Sequence, residues 1–354
     1  MLNFFGSKNI LGVDIGTASI KIVEIKKGPQ KPQFLNYGVL EASTHLERPN
    51  EAIQTSSLKL SEKQTANALK ELLAQMKTKT KDAIASVPIF SSFVTFFDLP
   101  LMPDTDTRKV IGFQIKQYLP LPVSEVEIEW MKVGEKETEE GKKQQILLIS
   151  IPKEQIIKYQ NIFKLAGLKL KAIEIEGLGL TRALADPKDP TPTLIIDIGC
   201  YSTNIIVVEN GYLRYNNSSD YAGASLTRAI ANGLGIDVRR AEEIKKSKGL
   251  LAAGGEYEIS TLMLPFLDVI IGEAKRAINS YQVASRRDVK EIILTGGGAN
   301  LLGIEKYFKK ETNKEVKIGN ALLKVDYPLE LEPLAKEIGT NFSLAIGLGI
   351  KELI

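Results

Sequence analysis

The sequence predicts an α/β protein of two related halves, each built on a mixed sheet, with a small α+β unit inserted in the first. Three observations predict it. Residues 11–24 (LGVDIGTASIKIVE) and 194–208 (LIIDIGCYSTNIIVV) repeat one pattern half a chain apart: an apolar strand, an Asp-x-Gly turn with small hydroxylated residues, and a second apolar strand. Residues 292–302 (IILTGGGANLL) add a glycine-rich turn after a buried strand. Between the two repeats, a series of strand, helix, two strands and helix fills residues 92–168. A duplicated turn rich in backbone N–H groups, hydroxyls and one carboxylate suits two halves that clamp a nucleotide's phosphates from opposite sides.

Each element follows from its local pattern. Residues 10–15 and 20–26 run or alternate apolar with β-branched side chains, as does 33–40, and all three read as strands. The polar stretch 42–60 carries no assignment. Ser61, with Gln64 three residues on, is a capping-box start for a helix to about residue 76, with Leu69, Leu72, Leu73 and Met76 on one face. Asp82–Val87 is a short strand stopped by Pro88. Residues 94–100 form a strand, 104–118 a helix closed by 119–122 (LPLP), and 125–133 and 145–151 two strands joined by a charged turn, 134–144, containing Gly134 and Gly141. Lys153–Ala166 is an amphipathic helix with Ile156, Ile157, Tyr159, Ile162 and Phe163 inward, ended by Gly167. A strand, Lys169–Ile175, and a Gly- and Leu-rich helix, Glu176–Leu184, follow. The prolines of 186–192 mark a domain boundary. Past the second hairpin, 225–234 and 236–247 are helices, and Tyr257–Ser285 is one long helix or two broken near Pro265. The glycine-rich turn, a helix opening at Asn300 and Leu301, short alternating strands and a closing helix at 342–353 complete the chain. The expected domains are 1–91 with 169–190, the insert 92–168, and 191–354 with a subdomain at about 236–287.

Composition narrows the function. A chain of 354 residues with 44% hydrophobic and 25% charged content suits a soluble protein of two domains. The 46 basic and 43 acidic residues nearly cancel, and no aromatic-studded basic stripe exists, which argues against nucleic acid. One cysteine, Cys200, excludes an intramolecular disulfide, and no cationic neighbour activates it as a nucleophile. One histidine, His45, without a partner excludes a His-based triad or zinc site. The sequence has no run of about 20 apolar residues and no signal-peptide start, so a cytoplasmic protein without direct membrane insertion is expected.

The candidate chemistry lies in the repeats. Asp14 and Asp197 stand at matching strand ends, where carboxylates accept hydrogen bonds from the waters of a phosphate-bound Mg²⁺. Gly16, Thr17 and Ser19 form one phosphate loop, and Gly199, Ser202, Thr203 and Asn204 the other. Lys21 either reaches a phosphate or is a solvated strand residue. Gly296, Gly297 and Gly298 pass under an adenine or α-phosphate, and Asn300 opens a helix whose positive end faces phosphate. Glu243 and Lys246 either contact the ribose and base or form a solvated helix face. Glu174 and Glu176 either orient an attacking water, Glu176 being the catalytic candidate, or are ordinary helix-start acids. Trp130 reads as core.

Two Asp-x-Gly hairpins, a linking Gly-rich helix and the Thr-Gly-Gly-Gly turn resemble the actin/Hsp70/sugar-kinase superfamily. The absence of the usual second subdomain of the first domain, and the insertion near 92–168, resemble its FtsA/PilM branch. The start at 9–24 (NILGVDIGTASIKIVE), 114–122 (QIKQYLPLP), Asn300-Leu-Leu-Gly and 241–245 (AEEIK) are similar to the PilM family, and the resemblance spans essentially the whole chain. It implies an actin-like (ribonuclease H-like) two-domain fold with duplicated mixed sheets and an inserted α+β subdomain. It also implies a cytoplasmic scaffold of type IV pilus assembly and twitching motility that binds ATP and Mg²⁺ and hydrolyses ATP slowly, if at all. The implied partner is the N-terminal peptide of the inner-membrane protein PilN, and through it the PilN/PilO complex, with the pilus motor ATPases as further candidates. By extension the peptide groove borders residues 93–120, with Phe113, Ile115, Tyr118 and Leu119 in it. The chain departs from the family at 42–60, which is polar and glycine-free where a Gly-containing strand turn is usual.

Three other readings compete. A small-molecule kinase of the superfamily needs a catalytic Asp in the cleft and sugar-binding residues after the first hairpin, and neither is evident. An FtsA-like division protein ends in a linker and a basic amphipathic helix, whereas residues 346–354 still read as a core helix. A secretion-system relative shares the pattern.

Overall fold

The computed structural model describes residues 9–16, 18–41, 61–139, 141–251 and 257–354. Thr17, His45 and the stretch 42–60 lie outside the described residues. The first half opens with strands β1 (Asn9–Ile15), β2 (Ser19–Lys26) and β3 (Gln33–Glu41), helix α1 (Glu62–Met76) and strand β4 (Asp82–Val87). Ser61 caps α1 reciprocally: its hydroxyl accepts from the Gln64 N–H at 3.3 Å, and Gln64 Oε1 accepts from the Ser61 N–H at 2.9 Å. The insert contributes β5 (Phe93–Pro100), α2 (Asp104–Gln114), β6 (Val126–Thr138) and β7 (Gly141–Pro152) as a sheet ordered β5-β7-β6. Helix α3 (Lys153–Ala166) and strand β8 (Lys169–Ile175) return to the first sheet, whose order is β3-β2-β1-β4-β8.

Helix α4 (Glu176–Leu184) leads to the second half: β9 (Thr193–Ile198), β10 (Thr203–Glu209), β11 (Tyr212–Ser219), α5 (Gly223–Leu234), α6 (Val238–Lys248), α7 (Tyr257–Ser285), β12 (Glu291–Thr295), α8 (Ile304–Thr312), β13 (Glu315–Ile318), α9 (Ala335–Asn341) and α10 (Ser343–Gly349). Its sheet is ordered β11-β10-β9-β12-β13, position for position the order of the first. In each, an antiparallel hairpin leads into two parallel strands reached through helical crossovers. Strands covered on both faces read as unbroken apolar runs, which is why β1, β9 and β10 are almost wholly buried.

The two halves exchange helices. Although α10 ends the second half, it packs on β1, β2 and β4 of the first, and α4 lies between it and β10 and β11 of the second. The expected second domain, 191–354, thus lends its last helix to the first. Glycines set the crossing: a Cβ at Gly347 would fall on the Gly179 carbonyl, 2.7 Å from its carbon, and one at Gly12 would stand 2.6 Å from the Gly349 nitrogen. Behind the crossing, buried Glu174 accepts both Arg182 guanidinium nitrogens at 2.6 and 2.9 Å and Lys351 Nζ at 2.8 Å.

Other expectations need correction. Residues 134–144 are mostly strand, because β6 and β7 form one long hairpin turning between Thr138 and Gly141. Its outer rungs pair charges, Glu137 opposite Lys142 and Lys136 opposite Lys143, so no apolar alternation marked them. The helix expected at 104–118 closes at Gln114 and tightens to a one-turn 3-10 helix, Ile115–Gln117, before the prolines. Helix α3, expected within the insert, instead buries Tyr159, Ile162 and Phe163 in the core of the first sheet beside α1. The insert's own core is Leu99, Ile111, Ile115, Ile146 and Leu148, while Leu147, Ile149 and Ile151 on the other face of β7 join the main core. The helix after the glycines begins at Ile304, past a 3-10 turn at Gly297–Asn300. Of the short strands expected after the glycine turn, β13 forms, but beyond it the chain makes two 3-10 segments, Ala321–Lys324 and Leu329–Leu334, and α7 runs unbroken through Pro265.

Candidate functional site

The two hairpin tips have one construction. The Gly16 N–H donates to the Ser19 carbonyl and the Gly199 N–H to the Ser202 carbonyl, both at 2.9 Å. One residue pair before each turn, Asp14 stands opposite Lys21 and Asp197 opposite Asn204. The tips face each other across a cleft of about 70 Å³ lined also by Ser19, Gly199, Ser202, Glu176 at the start of α4, and Gly296 and Gly297. Gly296 holds φ +78° and ψ 175°, a conformation open to glycine alone, and its missing Cβ leaves room beside Asp197.

Charge in this cleft is unbalanced. Asp14, Asp197 and Glu176 converge, and the cation among the lining residues is Lys21, whose Nζ is 3.8 Å from Asp14 Oδ2. Asn204 Nδ2 donates to Glu176 Oε2 at 3.0 Å and to Asp197 Oδ2 at 3.2 Å, and the Ile89 N–H donates to Glu176 Oε2 at 3.3 Å. Burial, then repulsion from Asp14 and Asp197, pushes Glu176 up to about 8 against these two hydrogen bonds. Burial likewise raises Asp197 to about 6, with Lys21 pulling the other way and Asp14 adding to it. Asp14 is raised because burial outweighs the pull of Lys21. Asn204 Oδ1 is buried and accepts no hydrogen bond among the described residues. Surplus acid and an unmet acceptor suit a hydrated hard cation, although no three His, Cys, Asp or Glu side chains among the described residues cluster as direct ligands.

A second, larger cavity of about 590 Å³ opens beside the insert. Ile89, Phe90 and Ser92 form its floor, Phe93–Thr95 and Gln117–Pro120 one wall, and Asn216, Asn217 and Ser218 of β11 the other. Tyr118, stacked on Phe97 with centroids 4.2 Å apart, and Leu119 line it. Phe113 and Ile115 do not. Phe113 is 86% exposed outside it, and Ile115 is buried in the insert core, because the tightening after Gln114 turns the helix face. The groove also reaches the second half, whose β11 supplies a whole wall.

A sequence model of the type IV pilus assembly protein PilM family matches residues 12–353. The chain belongs to the PilM family. Among solved structures, a PilM-PilN type IV pilus biogenesis complex superposes with TM-score 0.80 at 19% identity, covering 98% of each chain. The ethanolamine utilization protein EutJ of Carboxydothermus hydrogenoformans follows at 0.56 and 18%, covering 99% of this chain and 92% of that one. MreB5 of Spiroplasma citri bound to AMPPNP gives 0.55 at 15%, covering 98% and 96%. These likenesses establish the actin-like fold.

Of the residues expected in this family member's cleft, Asp14, Gly16, Ser19, Lys21, Glu176, Asp197, Gly199, Ser202, Asn204, Gly296 and Gly297 are brought together. Thr203 is not: its hydroxyl donates to the Tyr221 carbonyl at 2.7 Å on the opposite face of β10. Gly298 leaves room for the Ile198 side chain rather than for a ligand. Asn300 reaches the cleft only through Asn341, whose Oδ1 accepts from its Nδ2 at 2.9 Å. Glu243 and Lys246 do not line the cleft; both are exposed on α6, paired with Arg240 and Glu242, while the less exposed Lys245 bonds Thr227 at 2.8 Å. Glu174 serves the helix crossing. Thr340, Asn341 and Ser343 line the cleft without having been singled out, and three polar residues at the head of an apolar terminal run were the available signal.

Proposed function

We propose that this chain is a nucleotide-binding scaffold of type IV pilus assembly, holding Mg-ATP between its halves and an N-terminal peptide of a PilN-type membrane protein in the groove beside the insert. The observation that carries the nucleotide half is the convergence of Asp14, Asp197 and Glu176 from both halves on one cleft. Asp14 and Asp197 would hold Mg²⁺ through its waters, with Asn204 Oδ1 accepting from another water and the two glycine turns against the phosphates. The metal would neutralise phosphate charge.

The peptide half rests on family membership, on the PilN named in the complex whose fold is shared, and on a groove half-lined by aromatic and aliphatic side chains. Among the described residues no helix is long and apolar enough to cross a membrane. In this reading the chain works on the cytoplasmic face of the inner membrane through its partner. Differential contacts of the nucleotide with open and closed halves would make peptide affinity depend on nucleotide.

Calorimetry with magnesium and ATP tests the reading. The native chain should bind, and Asp14→Ala should lower affinity at least about tenfold while melting normally. No heat of association with folded native protein removes the nucleotide role.

A further inference from the structure

We propose that Arg214 is the positioning residue through which movement of the second half reaches the peptide groove. This inference rests on the nucleotide-and-peptide reading above and names the contact that couples its two sites.

Arg214 is the extra residue of a β-bulge. Val207 of β10 faces Tyr215 of β11 and Val208 faces Leu213, so Arg214 has no rung of its own. Bulges re-aim side chains, and this one sends the guanidinium out of its sheet into the insert. There Nη1 donates to Gln145 Oε1 on β7 at 2.8 Å. The landing site is a second bulge: on β6, Lys132 pairs with Ile146 and Gly134 with Gln145, leaving Val133 extra. A Cβ at Gly134 would stand 2.7 Å from Arg214 Nη2 and 2.9 Å from Cζ, so any side chain there would make the guanidinium shift from its seat. Two strand irregularities in different bodies thus meet on one side chain, which is 10% exposed.

The position gives this contact its consequence. Two residues further along β11, Asn216 begins the groove wall that faces Phe93–Thr95 of the insert. On the other side β11 is hydrogen-bonded along its length to β10, which carries Asn204 into the nucleotide cleft. A shift of β9, β10 and β11 as one sheet on nucleotide binding is transmitted by the seated guanidinium to β6 and β7. Without it, the insert keeps its place and the groove no longer registers the nucleotide. Glu209, 3.2 Å from Arg214 Nη2, also pairs with Arg287, so its carboxylate is not stranded when Arg214 is removed.

The test uses the full chain and a labelled synthetic peptide corresponding to the N-terminal cytoplasmic segment of the PilN-type protein of the same organism. Peptide affinity is measured by fluorescence anisotropy with and without saturating Mg-ATP, in the native protein, Arg214→Ala and Gly134→Ala. The second variant evicts the guanidinium by one methyl group without changing charge, and decides the matter if Arg214→Ala does not fold. In the native protein the two affinities should differ at least about fivefold, the lower end of ordinary site-to-site coupling. In either variant the ratio should fall below about twofold while calorimetric ATP affinity stays unchanged. A ratio retained in folded Arg214→Ala and Gly134→Ala overturns the role of Arg214 and leaves the functional reading standing. Absence of any nucleotide effect, or of peptide binding, in the native chain overturns both.

Discussion

Removing Arg182 should be the costliest single side-chain truncation at the junction of the halves. Its guanidinium makes three hydrogen bonds: two to Glu174, at 2.6 and 2.9 Å, and one to the Gly347 carbonyl at 2.7 Å. Glu174 is 4% exposed. Breaking a buried pair from one side typically costs about 3–5 kcal/mol, because the remaining charge cannot return to water. Here Lys351 stays 2.8 Å from Glu174 and offsets part of that, whereas the orphaned Gly347 carbonyl adds roughly 1 kcal/mol. The sum for Arg182→Ala is about 3 kcal/mol. In a Glu174→Ala background the same change should cost only about 1 kcal/mol, since no buried carboxylate is then abandoned. Urea unfolding of the four proteins in a double-mutant cycle reads both numbers, with a coupling near 2 kcal/mol. Equal costs in the two backgrounds would show that Glu174 and Arg182 do not share a buried pair, and the account of the helix crossing would fail with it.

Three further outcomes follow from the same geometry. Glu176 is held near 8 in the folded protein against 4.5 for the free side chain, so its extra proton stabilises the fold fully below about pH 4.5, and that contribution is lost as pH rises through 8. In chelator, Glu176→Gln should therefore flatten the fall in chemical stability between pH 5 and 8, and curves of unchanged slope would refute the assignment. Gly347→Ala forces α10 off the Gly179 carbonyl and should lower stability by about 3 kcal/mol, measured as a drop in urea midpoint at unchanged m-value. Gly296→Ala places a methyl against Asp197 and strains a backbone at φ +78°. Mg-ATP affinity should fall more than about tenfold by calorimetry, and wild-type affinity would take the glycine turn out of the site.

What could be read from the chain was local. An Asp-x-Gly turn between apolar strands declares its own geometry, so Asp14 and Asp197 stand where the repeat put them. The Ser61 and Gln64 cap is equally self-contained. Errors came from phase. Ser202 and Asn204 face the cleft and Thr203 does not, as the two-residue period of a strand requires. On α6, charges occur on every side, so the pattern could not separate the exposed Glu243 and Lys246 from Lys245, which bonds Thr227. The most distant miss, Asn341 and its neighbours, could not come from local pattern. Thr340 and Asn341 reach the cleft because the end of α9 is bonded to the glycine turn, through the Gly296 N–H and the Thr295 hydroxyl to the Thr340 carbonyl and Asn300 to Asn341, contacts 40 or more residues apart in sequence.

The asymmetry between the two tips shapes the site more than their likeness does. Lys21 and Asn204 hold the same place in the repeat, each directly across its hairpin from the aspartate. On the first side the partner is a cation, and it answers Asp14. On the second it is an amide that spans Asp197 and Glu176 with one nitrogen, its oxygen unbonded among the described residues. A lysine at both places would nearly neutralise the cleft, and an amide at both would leave three acids with no ammonium. With one of each, three carboxylates against one ammonium leave two uncompensated negative charges at full ionisation, the charge one divalent cation cancels. Burial makes that surplus expensive, as the raised Glu176 and Asp197 record, so neutralising it releases more free energy here than it would at a solvated pair of acids. A symmetric duplication becomes a directional site by one change of residue type, with an ammonium beside Asp14 and an amide between Asp197 and Glu176.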